Sequence, residues 1–322
     1  MTSTPRREDE PLRPIRIASK LTRPEPPQPG TGVRLALFQG ENPVGTPEAV
    51  TANLNRMREV VEVAARYQAQ LCAFPECYTT GYSLGAQEAR ALAQPKDGAA
   101  IQAAQAVSAT HDIGIVVPYV ELDRAADTVH DSIALVLGGE LAANYRKTHL
   151  YGAAERINFT AGTELPPVVK VNQFPVGLLN CYECEFPPLY QSLVGRGARL
   201  VVGPTAADHH FTLHDGNPTQ VPYPDATEHI IPAMASVWRV FVAYVNRRGW
   251  ETSERGQWQY RGNSGVWAPD GTPMIAAGPE ERSDDTLLVT DCVPDEVAPF
   301  SPEGDHFSDN RVALQEKLLP TT

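Results

Sequence analysis

Three polar side chains stand at the ends of apolar, strand-like runs in this sequence: Glu76 after LCAFP, Lys147 within NYRKTHLYG, and Cys181 closing VGLLN. Strand ends and the loops after them are where layered folds build their sites. A thiol there is a candidate nucleophile, a carboxyl a candidate proton acceptor, and an ammonium a candidate stabiliser of developing negative charge. Each also has a plain structural alternative. A strand-end Cys packs more often as a small buried hydrophobe, a Glu after Pro is usually a solvated loop residue, and a Lys beside Arg146 usually belongs to a charged surface. Only the combination, with its flanking words, raises the functional reading.

Two other groupings could do different chemistry. Cys181 and Cys184 form a CxxC pair, a redox dithiol or half of a zinc site; Cys72 and Cys77 do not repeat the spacing that a zinc site would want. Asp208, His209, His210, His214 and Asp215 are good metal-ligand types, although adjacent histidines in a loop after VVGPTA more often rim a pocket. His149, beside Lys147, reads as a structural hydrogen-bonding residue.

The elements that must position these groups follow from pattern. VRLALF (33 to 38) is a strand. Residues 47 to 67 carry apolar positions at Val50, Leu54, Met57, Val60, Val61 and Ala64, which is an amphipathic helix. Further strands are expected at 71 to 74, 113 to 121, 131 to 138, 175 to 181, 199 to 205, 239 to 246, 264 to 268 and 287 to 290, with helices at 98 to 110, 187 to 195 and 225 to 238. Asp270-Gly271 marks a turn. Strands alternating with helices indicate an α/β layered fold, and no linker or repeat splits the body.

Composition narrows the function. A formal net charge of −12 disfavours nucleic acid, and no apolar run approaches the roughly 18 residues of a membrane span. Residues 1 to 32 hold seven prolines from Pro5 to Pro29 and few large apolar side chains, so a poorly ordered arm is expected there, ahead of a body at 33 to 322 with a C-terminal tail. The arm lacks an apolar signal region, and Glu8, Asp9 and Glu10 argue against a transit peptide. Together with five cysteines, an odd number, this points to reduced thiols and a cytoplasmic location.

FPECYTTGY (74 to 82), YRKTHLYG (145 to 152) and GLLNCYECEFP (177 to 187) resemble the three signature blocks of the nitrilase superfamily. VVGPTA, VAYVNRRG and GNSGVWAPDG extend the resemblance over about residues 33 to 292. It implies a single-domain, four-layer α-β-β-α sandwich with Glu76 as general base, Lys147 and the backbone N–H of Tyr182 stabilising an oxyanion, Cys181 as nucleophile, and Glu155 as an auxiliary glutamate. Tyr82 and Thr205, inside the matched words, are candidates for substrate or oxyanion contacts. No metal or cofactor is implied, and the partner is a small-molecule amide. Superfamily members commonly form homodimers or larger homo-oligomers.

Cys181-Tyr182-Glu183 resembles the amidase-like branch, since true nitrilases tend to carry Trp after the nucleophile. Nitrile or N-carbamoyl-amide hydrolysis, and a binding protein that keeps the fold without the activity, remain as alternatives. The chain departs from the family pattern at Pro188, where Glu is common, and over Met234 to Trp238, including Val237, where an Arg-Ala-x-Glu-Asn word is common. These changes bear on substrate range and subunit contacts.

Overall fold

The computed structural model describes residues 14–213, 218–220, 226–253, 256–278 and 284–296, with 309, 311 and 314; side chains at 209–213 and 218–220 lie outside the description. The first half runs β1 (Ile15–Lys20), β2 (Val33–Gln39), α1 (Pro47–Arg66), β3 (Leu71–Ala73), α2 (Ala86–Leu92), α3 (Ala99–His111), β4 (Gly114–Asp123), β5 (Thr128–Leu137), β6 (Glu140–Arg146) and α4 (Gly152–Asn158). The second runs β7 (Val168–Val171), β8 (Phe174–Leu178), a 3₁₀ turn (Cys181–Glu185), α5 (Pro187–Gly195), β9 (Leu200–Thr205), β10 (Asp208–Leu213), β11 (Pro218–Gln220), α6 (Ala226–Trp238), β12 (Phe241–Asn246), β13 (Arg248–Ser253), β14 (Gly256–Arg261), β15 (Gly265–Trp267), β16 (Pro273–Ala276) and β17 (Asp285–Cys292).

Two mixed sheets form the centre, in the orders β1-β17-β2-β3-β4-β5-β6 and β16-β15-β12-β9-β8-β7. Each has a parallel trio, β2-β3-β4 and β8-β9-β12, flanked by antiparallel strands. Alternation along β2 explains the layers. Leu35 and Leu37 point into the core between the sheets, against Leu178, Val202, Phe241 and Val245, while Ala36 and Phe38 point outward under α1 and α3. On the far side Val201, Val242 and Tyr244 pack under α5 and α6. Both faces of the central strands are therefore buried, which is why they read as continuous apolar runs rather than alternating ones. The expected α-β-β-α sandwich is the observed architecture.

Local chemistry sets several boundaries. The Thr46 hydroxyl accepts from the Ala49 amide at 3.1 Å, and Pro47 opens α1 where its missing N–H leaves no bond unmade. The turn at Asp270-Gly271 forms as expected, with Thr272 N–H donating to the Asp270 carboxylate at 2.9 Å and Gly271 at a φ of 84°.

The expected loose arm does not hold for residues 14–32. β1 pairs in parallel with β17 through six residues, from Ile15 opposite Asp285 to Lys20 opposite Thr290. The buried Arg34 guanidinium, paired with Asp291 at 2.7 Å, donates to the carbonyls of Arg23, Pro24 and Glu25. A buried cation needs its donors satisfied, and backbone oxygens of a proline-rich segment, free of ladder bonds, supply them. Residues 1–13 lie outside the described residues. No helix among the described residues is long and apolar enough to cross a membrane.

Candidate active site

Glu76 follows β3, Lys147 follows β6, Cys181 follows β8 and Thr205 ends β9, so strand ends of both sheets deliver side chains to one place. The two sheets meet there directly: the Glu76 amide donates to the Thr205 carbonyl at 3.3 Å.

Lys147 is the hub. Its Nζ lies 2.6 Å from Glu76 Oε1, 2.8 Å from Glu155 Oε1 and 3.5 Å from Asp131 Oδ2, and the first two are hydrogen bonds. All four residues are at most 2% exposed. Burial disfavours the ammonium, but the anions of Glu76, Glu155, Cys181 and Asp131 outweigh it and hold the Lys147 pKa well above its ordinary value. Glu155, in the first turn of α4, also accepts the Tyr151 amide at 2.7 Å and the Tyr82 hydroxyl at 2.6 Å. Tyr82 is in turn held by Glu251, which accepts its amide at 3.1 Å.

Glu76 Oε1 faces Lys147, whereas Oε2 is buried without a hydrogen-bond partner. Burial lifts the Glu76 pKa well above the carboxylate range; Lys147 opposes this, and Asp131 and Glu155 reinforce it. Cys181 enters the 3₁₀ turn at a φ of 52°, a left-handed conformation uncommon for a residue with a Cβ. Such strain persists where surrounding structure over-determines it. Burial, then the neighbouring Glu76 charge, push the thiol pKa well up, while Lys147 and a hydrogen bond from Thr205 pull it down. That bond runs from Thr205 Oγ1 to Sγ at 3.0 Å, and Thr205 lies a further 3.0 Å from the Tyr244 hydroxyl. The arrangement can take a proton from a thiol, hold a new sulfur-bound centre, and present a fixed positive charge to an oxygen.

A model of the carbon–nitrogen hydrolase family matches residues 34–300. The chain belongs to that family. This carbon–nitrogen hydrolase is 32% identical over 251 residues to a hydrolase in the pqqF 5' region of Pseudomonas protegens, covering 77% of this chain and 80% of the relative. It is 28% identical over 262 residues to an (R)-stereoselective amidase of a Pseudomonas species, covering 81% and 86%. Among solved structures, an amidase from a Nesterenkonia species superimposes with a TM-score of 0.74 at 25% identity, covering 90% of this chain and 97% of that one. A glutamate-to-glutamine mutant of that amidase, also at 0.74 and 25% and covering 92% and 99%, carries the acetamide moiety of fluoroacetamide on its active-site cysteine. The nitrilase-superfamily resemblance and the sandwich architecture are thereby established, with amidases among the neighbours.

In this hydrolase Glu76, Lys147, Glu155 and Tyr82 are joined by hydrogen bonds, and Thr205 is joined to Cys181 beside them. Tyr182 is the second residue of the 3₁₀ turn, in the first-turn position where amides lack intrahelical acceptors. Its ring stacks edge-on with Phe186 at 4.9 Å and Tyr151 at 5.2 Å, and Phe186 meets His149 at 4.4 Å. Cys184 is buried under Gly203, in the apolar layer with Tyr190, so the two thiols of the CxxC have different surroundings. Asp208 begins β10, His209 and His210 lie on that strand with undescribed side chains, and His214 and Asp215 are outside the described residues. Among the described residues the one cluster of metal-ligand types is Glu76, Asp131 and Glu155, and the Lys147 ammonium contacts all three. Of the departures, Pro188 lies in the first turn of α5, while Met234, Val237 and Trp238 pack from α6 onto the same apolar layer as α5.

Two participants escaped sequence reasoning. Asp131 reaches the site from β5, and the only signal was an acid before the apolar run SIALVL. In the sequence Glu183 is only a branch marker. It clamps two motifs together by accepting from Tyr145 OH, the Thr148 amide and hydroxyl, and the Asn180 amide at 2.7 to 3.0 Å; burial would raise its pKa, but His149, Thr148 and Tyr145 hold it low.

Proposed function

We propose that this protein is an amidase that hydrolyses small aliphatic or amino-acid-derived amides through a thioester on Cys181, releasing ammonia and a carboxylic acid. The observation that carries the reading is the buried Lys147 ammonium held between Glu76 and Glu155 beside a thiol that already accepts a hydrogen bond.

The chemistry follows from those positions. A thiol with a raised pKa is mostly protonated near neutral pH, so attack needs a base. Glu76, itself lifted in pKa, takes the proton as sulfur bonds to the carbonyl carbon and the carbonyl electron pair moves to oxygen. Lys147 and the Tyr182 amide stabilise that oxyanion in a site with little water. Glu76 returns the proton to the departing ammonia. Water, activated by Glu76 and positioned with Glu155, then attacks the thioester. A nitrile would instead place developing charge on nitrogen, so an oxyanion site favours amides.

The neighbouring amidases support this branch, and Tyr151, Tyr182 and Phe186 form an aromatic row on and beside the turn that carries Cys181. A homodimer or larger homo-oligomer and a cytoplasmic setting complete the reading. The test is ammonia release across matched amides, nitriles and N-carbamoyl compounds, compared as kcat/KM, which measures differential transition-state binding. Amides are expected to lead, and a series in which nitriles turn over faster refutes the branch.

A further inference from the structure

Asp131 has no part in the mechanism above, yet it is as deeply buried as the residues that do. Its Oδ1 accepts from Asn180 Nδ2 at 2.9 Å and lies 3.6 Å from the Cys77 sulfur. Its Oδ2 has no hydrogen-bond partner, and neither has Oε2 of Glu76. One oxygen from each of Glu76, Asp131 and Glu155 falls within 4.8 Å of the others, and Glu76 and Asp131 both contact the Lys147 ammonium.

Charge makes this arrangement untenable if every acid is ionised. Lys147 brings one positive charge against three carboxyl groups. Arg247, which also feels Glu76, is paired with Glu251. The other groups facing the cluster, Cys77 and Cys181 beside the acids and Tyr82 on Glu155, add no positive charge. Two like charges at such separation in a dry site cannot both persist, and Glu76 Oε2 and Asp131 Oδ2, buried without hydrogen-bond partners, are both left unsatisfied. A single proton between them removes one charge and makes one oxygen a donor that the other accepts.

We propose that Asp131 is a positioning residue that shares one proton with Glu76 across these two oxygens, so that the base beside Cys181 is the carboxyl pair rather than Glu76 alone. The inference rests on the reading of Cys181 as nucleophile and Glu76 as its base. As the carbon–sulfur bond forms, the thiol proton passes to Glu76 while the shared proton moves fully onto Asp131, and the carbonyl pair becomes the oxyanion. When the carbon–nitrogen bond breaks, Glu76 gives its proton to the leaving nitrogen and the Asp131 proton returns to the shared position. The proton count and total charge of the pair are conserved through the acylation cycle. Burial, opposed by Lys147, holds both carboxyls above their ordinary values, in keeping with a retained proton.

The test uses the full-length protein and Asp131→Asn, which keeps an oxygen for Asn180 Nδ2. Removing Asp131 takes away the acid that stabilises the singly protonated pair, so Glu76 is protonated at higher pH and the acid limb of kcat/KM for a small amide should move up by about one pH unit, a tenfold change in base fraction. An unmoved limb, whether activity is kept or lost uniformly, overturns the proposal. Infrared spectroscopy covers the case in which the variant does not fold. The wild type at neutral pH should show the carbonyl stretch of a protonated carboxyl group that Glu76→Gln lacks, and its absence from the wild type is equally fatal. Wild-type inability to release ammonia from any amide would instead sink the amidase reading, leaving the infrared measurement to judge the pair.

Discussion

Glu183 accepts from Thr148 twice, from its amide at 2.8 Å and its hydroxyl at 2.7 Å, and so ties the loop carrying Lys147 to the turn carrying Cys181. The two residues belong to different sheets' strand ends, so this one carboxylate fixes the distance between the cation and the sulfur. Its other oxygen accepts the Asn180 amide at 3.0 Å. Glu183→Gln retains one acceptor oxygen and sets an NH₂ group against a donor.

The expected result is a loss of at least tenfold in kcat with KM little changed, and a stability loss on the order of 2 kcal/mol from broken charge-assisted bonds. Because the folded pKa of Glu183 is depressed, its contribution is present above the ordinary value of 4.5 and fades as pH falls below it. Melting curves of both proteins should therefore converge in acid. A constant gap across that range contradicts the account.

Cys181→Ala should abolish ammonia release, whereas Cys184→Ala should keep most of it. Cys184 sits in the apolar layer, and a Cβ at Gly203 would meet its sulfur at 2.4 Å, so it acts as packing. Truncation there leaves a small void costing about 1 kcal/mol. Equal loss of activity in the two variants would revive the dithiol reading.

Thr205→Val removes the donor on Sγ while keeping the side-chain shape. That hydrogen bond lowers the thiol pKa, so its loss should raise the inflection of iodoacetamide alkylation at Cys181 and reduce kcat/KM about tenfold, or about 1.4 kcal/mol. Alkylation rates measured against pH, with peptide mass analysis, check the direction. A downward shift would show that Thr205 does not hold the thiolate.

A chain beginning at Thr31 loses β1 and the carbonyls that satisfy Arg34. Its melting temperature should fall by about 5 °C or more, since each kcal/mol is worth roughly 2–4 °C in a large domain. Thermal denaturation of the two lengths decides it, and an unchanged midpoint would return residues 14–30 to the status of a dispensable arm.

How much could be read in advance followed physical lines. The strands buried on both faces announced themselves as apolar runs, and α1 showed its stripe. β1 did not, because IRIASK is a half-buried edge strand between prolines and its partner lies some 270 residues away. β14, GQWQYR, does alternate buried and part-exposed positions, but three polar residues in six obscured it. Within the site, Glu76, Lys147 and Cys181 were legible through motif words. Asp131 was not, because an acid ahead of an apolar run acquires meaning only once β5 and β6 pair and bring it against Lys147.

The central claim, that an amide's acyl group is carried on Cys181, is most directly tested by intact-mass spectrometry of Glu155→Gln during turnover of a small amide, followed by peptide mapping. If Glu155 helps position water, deacylation slows in this variant. The mass should then rise by the acyl group, map to the peptide containing Cys181, and disappear with hydroxylamine as a hydroxamate forms. Ammonia release with no adduct at Cys181, or with the adduct on another residue, would contradict the account.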